Sequence, residues 1–76
     1  MKGKSSKQFR KALGQRIRVL RKSQKISQAQ LAYEVGVTRE TIVYIERGVQ
    51  NATTDAIYNI AVALGISMKE LHDFEW

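Results

Sequence analysis

Arg39, Glu40 and Tyr44 are the side chains in this sequence best suited to reading a patterned hydrogen-bonding edge, and Gln28 is the one best suited to holding an anion. Arg39 carries a planar fork of N–H donors that can grip guanine O6 and N7 with two bonds. Glu40 only accepts, which suits cytosine N4 and repels phosphate, so it can select an orientation. Tyr44, one turn on, can stack or touch a thymine methyl. Thr41 either joins this surface, packs inward or bonds a carbonyl of its own helix. Val43 either touches a thymine methyl or sugar, or stands idle at the surface. Gln28 opens a short helical pattern, where its amide and the free N–H groups of the helix start can hold one phosphate. The plainer readings are a solvated glutamine at 28, and an Arg39–Glu40 charge balance or an Arg39–Val43 contact within one helix.

These residues sit in the stretch Ser27–Gly48, SQAQLAYEVGVTRETIVYIERG, where two short helical patterns flank Gly36. Ser27 and Gln30 spell S-x-x-Q, which predicts a capping box: the serine takes an amide while Gln30 reaches back. Leu31, Ala32 and Val35 form an apolar face at helical spacing. Gly36 suits a tight exit at positive φ. Val37 plugs the turn, and Thr38 caps the second helix. Ile42 and Ile45 point that helix inward and leave Arg39, Glu40, Val43, Tyr44 and Arg47 outside. Two helices joined by a short glycine-containing turn form a helix-turn-helix, whose second helix lies in the DNA major groove.

The residues ISQAQLA followed by GVTRETIVYIERG resemble the phage repressor and Cro-like helix-turn-helix family, also called the xenobiotic response element type. The resemblance runs from about Leu13 to Leu71. It implies an all-α fold, a compact five-helix bundle with a central helix-turn-helix, as in the lambda repressor-like DNA-binding domain. It also implies base contacts at Arg39, Glu40 and Tyr44, and a phosphate contact at Gln28. Arg47, Gln50 and Asn51 match family positions that touch the DNA backbone. Arg21 and Glu46 match a buried or half-buried ion pair that ties helix 1 to the end of helix 3. The chain departs from the family at Lys25, where glycine is usual: either the turn has another shape or the helix ends without a left-handed residue. It departs again at Ala52, where many relatives have proline.

Composition narrows the function classes. The 76 residues contain no cysteine, no proline and a single histidine, so disulfides, thiolate metal sites and a histidine metal cluster are not expected. No glycine-rich phosphate loop, nucleophile motif or His–Cys pairing suggests an enzyme, and no cofactor is implied. No apolar run approaches the roughly 20 residues that span a bilayer, and the start lacks a signal peptide's apolar core, so a cytoplasmic protein is expected. The net charge of +6 is uneven: 10 of the 13 Lys and Arg residues fall between Lys2 and Lys25, and no acid precedes Glu34. Beside a helix-turn-helix, this reads as phosphate-facing surface, to which Arg16 or Arg18 can contribute.

Residues 1–6 read as a basic arm with nothing to bury, either frayed or reaching a phosphate or the minor groove. Residues 7–76 read as the DNA-binding domain. Helix 1 is expected over about Lys7–Ser23, with Phe9, Leu13, Ile17 and Leu20 inward and Ala12 beside them. Thr53 caps a fourth helix running to about Leu64, with Ile57, Ile60, Ala61 and Leu64 inward and Gly65 at its end. Ser67 and Glu70 predict a capping box for a fifth helix over about Met68–Asp73. Phe74 and Trp76, large and terminal, suggest a partner surface.

The expected function is a sequence-specific double-stranded DNA-binding transcriptional regulator, a repressor, acting as a homodimer on a palindromic operator, with the C-terminal region as one dimer surface. The alternative is an antitoxin that covers a protein toxin with its acidic, aromatic end, HDFEW, and regulates its own operon.

Overall fold

The computed structural model describes residues 5–76; the first four residues of the expected arm lie outside the described residues. Five helices follow in order: α1 Ser6–Ser23, α2 Gln28–Val35, α3 Arg39–Arg47, α4 Thr54–Leu64 and α5 Met68–Leu71, with no strand among the described residues. Ile17, Leu31, Ile42, Ile60 and Leu71, one from each helix, are fully buried and form the centre of one core. α3 packs on both α1 and α2, α4 closes on α2, and α5 seals the end of α1 and α4.

Each helix begins with a hydroxyl. Ser5, Ser27, Thr38, Thr53 and Ser67 each accept the backbone N–H of the residue three positions on. Each thereby satisfies one of the donors that a helix start leaves open. At α5 the box is complete, since the Ser67 N–H also donates to Glu70 Oε1 at 2.9 Å. The Ser67 amide and hydroxyl hold the Glu70 carboxyl below its ordinary range, partial desolvation opposes them, and Arg16 adds a smaller downward pull. Two expectations are corrected here. At α2 only half of the box forms, because Gln30 Nε2 turns along the helix to Glu34 Oε2 at 3.2 Å. At α1 a full box forms with Gln8, so Ser5 and Ser6 belong to the helix start and not to the arm.

Lys25 takes the left-handed conformation at φ 60 despite its side chain. The Ile26 N–H bonds to Arg21 O at 3.2 Å and the Lys25 N–H to Lys22 O at 3.0 Å, the paired bonds that close a helix on a left-handed residue. The family's turn is therefore kept at a steric cost. Lys25→Gly is expected to stabilise the fold by about 0.5–1 kcal/mol, the relief of strain outweighing the greater freedom of glycine in the unfolded chain. Thermal unfolding followed by circular dichroism should show a midpoint raised by several degrees; an unchanged or lower midpoint would mean that Lys25 is not strained.

The C-terminal aromatics are more covered than the sequence suggests. Phe74 is half-buried against Phe9, with ring centroids 5.8 Å apart, and Trp76 sits edge-on to the same ring at 5.1 Å. His72 stacks on Phe9 and bonds Met68 O through Nδ1 at 2.8 Å. α5 ends at Leu71, before the expected Asp73. The backbone then turns Phe74 onto α1, and Trp76 stays 42% exposed.

Candidate nucleic-acid interface

α2 and α3 are joined by Gly36, which is left-handed at φ 87, and by Val37, half-buried against the core. Ile42 and Ile45 fasten α3 to the interior, so its other side must face out. Arg39 and Glu40 lie exposed on the first turn, and Tyr44 follows one turn later at 42% exposure. Glu40 also suits the positive end of the helix dipole, which gives it a structural reason to be there as well. Thr41 is half-buried, and its hydroxyl lies 2.9 Å from the Thr38 hydroxyl, so it is held at the cap rather than bonded to a helix carbonyl. Val43 is half-buried beside this face.

A shallow hollow runs from α1 to the start of α3, lined by Arg18, Arg21, Lys22, Ser27, Gln28, Ala29 and Arg39. Arg18, Lys22 and Arg39 are cationic, the fourth cation, Arg21, is paired with Glu46, and none of the lining residues is acidic. Such a hollow at a helix start, with unpaired backbone N–H groups nearby, attracts an anion. Gln28 and Arg39, which the sequence places on different helices, thus border one surface together with Arg18. Lys22, absent from the expected contacts, joins them; its signal was the i, i+4 spacing from Arg18 on the basic side of α1.

Other expected contacts lie elsewhere. Arg47, Gln50 and Asn51 are exposed around the end of α3 and the loop after it. Gln50 and Asn51 border a separate cleft with Phe9, Leu13 and Ile57. Arg16 Nη2 donates to the Glu70 carbonyl at 2.8 Å, so the guanidinium ties α1 to α5.

Behind the hollow is a buried ion pair. Arg21 Nε donates to Glu46 Oε2 at 2.6 Å and Arg21 Nη2 to Glu46 Oε1 at 3.1 Å, with residue exposures of only 6% and 5%. Arg21 Nη1 donates to Ile26 O at 2.8 Å, securing the turn made by Lys25. Glu46 Oε1 also accepts from Gln28 Nε2 at 3.1 Å, a link between α2 and α3 that no spacing rule reveals across 18 positions.

No helix among the described residues is long and apolar enough to cross a membrane. The control protein C.BamHI of Bacillus amyloliquefaciens is 42% identical over 67 residues, covering 87% of this chain and 83% of that protein. The crystal structure of the restriction-modification controller protein C.AhdI from Aeromonas hydrophila superposes with a TM-score of 0.79 at 38% identity, covering 84% of this chain and 96% of that one. The biofilm master regulator SinR, solved in complex with DNA, gives a TM-score of 0.74 at 32% identity, covering 80% of this chain and 98% of that one. The Helix-turn-helix family HTH_3 matches residues 17–71, most of the chain, and with the helix order, the caps and the relatives in agreement, this protein belongs to that family of Cro-like and phage-repressor-like chains.

Proposed function

We propose that this protein is a sequence-specific regulator of transcription, a repressor, that lays α3 into the major groove of a palindromic operator. The observation that carries this reading is the cationic hollow at the start of α2, which reaches Arg39, the first residue of the helix that also exposes Glu40 and Tyr44. Phosphate contacts at Gln28, Arg18 and Lys22 fix the register, and those three α3 side chains read bases. Arg47, Gln50 and Asn51 extend the backbone contact beyond the end of α3, and Thr41 is limited by its cap bond to a peripheral role. The relatives named as a control protein and a restriction-modification controller support regulation, and SinR's complex with DNA supports the ligand. One short helix makes few base contacts, so the working form is a homodimer with half-sites about one helical turn, near 34 Å, apart. The exposed Trp76 belongs to the C-terminal region that we assign to the dimer surface.

Selection from random duplex DNA followed by anisotropy titrations over a range of salt concentrations tests this. A two-fold symmetric winning sequence and a steep salt dependence are expected. Arg39→Ala should relax preference at one base pair per half-site and cost about 1–3 kcal/mol on the selected duplex. Gln28→Ala should weaken selected and scrambled duplexes alike. Equal affinity of the unaltered protein for both duplexes would overturn the reading.

A further inference from the structure

We propose that Glu46 is a positioning residue for DNA, holding Gln28 in the orientation that meets a phosphate. The inference rests on the reading of Gln28 as a phosphate contact. A glutamine amide has an acceptor end and a donor end, whereas a carboxylate only accepts. The bond to Glu46 Oε1 at 3.1 Å therefore commits Gln28 Nε2 to face Glu46 and leaves its second N–H free to donate. Gln28 also lines the cationic hollow at the α2 start, so that remaining donor belongs to the surface where an anion would sit.

The bare carboxylate would be a poor neighbour for DNA. Arg21 removes this objection, because its two bonds, at 2.6 and 3.1 Å, pair the charge of Glu46 within the protein. Gln28 is thus anchored to a locally neutral pair and not to a free anion. A side chain already ordered in the free protein loses less conformational freedom on binding. The anchor also joins three helices, since Arg21 lies on α1, Gln28 on α2 and Glu46 on α3. The phosphate contact on α2 is then set to the helix that reads the bases.

A double-mutant cycle on the full chain tests the coupling, using Gln28→Ala and Glu46→Gln with the selected duplex of about 20 base pairs, long enough for two half-sites one turn apart. Titrations are made at a temperature where circular dichroism shows all four proteins folded. Gln28→Ala is expected to weaken binding roughly 10-fold when Glu46 is present and no more than about 3-fold when it is replaced. Equal losses in the two backgrounds would overturn the positioning role while leaving DNA binding intact. Failure of the unaltered protein to bind any duplex would instead remove the underlying reading, and this inference with it. Side-chain NMR relaxation on the unaltered, DNA-free protein decides the matter if Glu46→Gln does not fold. The Gln28 amide should be nearly as ordered as the backbone, with an order parameter near 0.8, and that of exposed Gln50 below about 0.6. Equal mobility of the two amides would overturn the proposal.

Discussion

Glu46→Ala is expected to destabilise the fold by about 2–4 kcal/mol, and Arg21→Ala by a similar amount, whereas Lys22→Ala should cost little. The asymmetry follows from burial. Arg21 and Glu46 are 6% and 5% exposed and bonded through two contacts, while Lys22, the next residue along, is exposed. The intact pair need not add much net stability, because both ions gave up water to form it. Removing one member, however, leaves the other charged, buried and unpaired. Arg21→Ala also releases the Ile26 carbonyl beneath the strained Lys25 turn, and Glu46→Ala takes away the acceptor of Gln28. Since 1 kcal/mol moves the midpoint of a domain this size by about 4–8 °C, the two buried substitutions should each lower it by roughly 8–32 °C. Replacing both residues by apolar ones should cost less than the sum of the single losses. Equal midpoints for Arg21→Ala, Glu46→Ala and Lys22→Ala would show that the pair contributes no structural constraint.

The features legible in the sequence were those written at short range. Apolar residues at helical spacing located α1 to α4 and nearly every core position, since a period of 3.6 residues is a local property of each face. Serine and threonine caps were readable for the same reason, three residues from the amides they accept. Long-range partners were not readable. Nothing near Arg16 announces a carbonyl 54 positions away at Glu70, and nothing near Gln28 announces Glu46. Lys25 shows a different limit: local preference argued against a left-handed lysine, yet the bonds from Lys25 and Ile26 to the end of α1 hold it there. The start of α1 shows a third. Ser5 to Gln8 has the spacing of a capping box, but the basic, glycine-containing run before it made the stretch look like an arm. For the candidate site, the exposed face of α3 was plain from the sequence, whereas Lys22 entered only when α1 was seen beside the start of α2.

Gly14→Ala is expected to cost about 3 kcal/mol, reversing the usual sign of such a change. In an exposed helix interior, alanine is favoured over glycine by about 1 kcal/mol. Gly14, however, is a buried position where α1 crosses the end of α3. A Cβ there would lie 2.5 Å from the Glu46 carbonyl oxygen and 2.8 Å from its carbon, and would also collide with the carbonyl oxygen of Ile45. These are backbone atoms of a helix and cannot swing aside as a side-chain end can. α1 must therefore back away, loosening Leu13 and Ile17 in the core and stretching the Arg21–Glu46 bonds that span the same two helices. Overpacking of this kind costs about 1–3 kcal/mol or somewhat more, and the weakened ion pair places Gly14→Ala at the upper end. Gly36→Ala provides the contrast: a Cβ there meets nothing within 4 Å, so only the strain of φ +87 remains, about 1–2 kcal/mol. Urea unfolding monitored by circular dichroism should rank Gly14→Ala below Gly36→Ala, with both below the parent. A Gly14→Ala protein as stable as the parent would mean that α1 and α3 do not meet this closely, and the position of the base-reading face would have to be reconsidered, because α3 is seated against α1 through that contact.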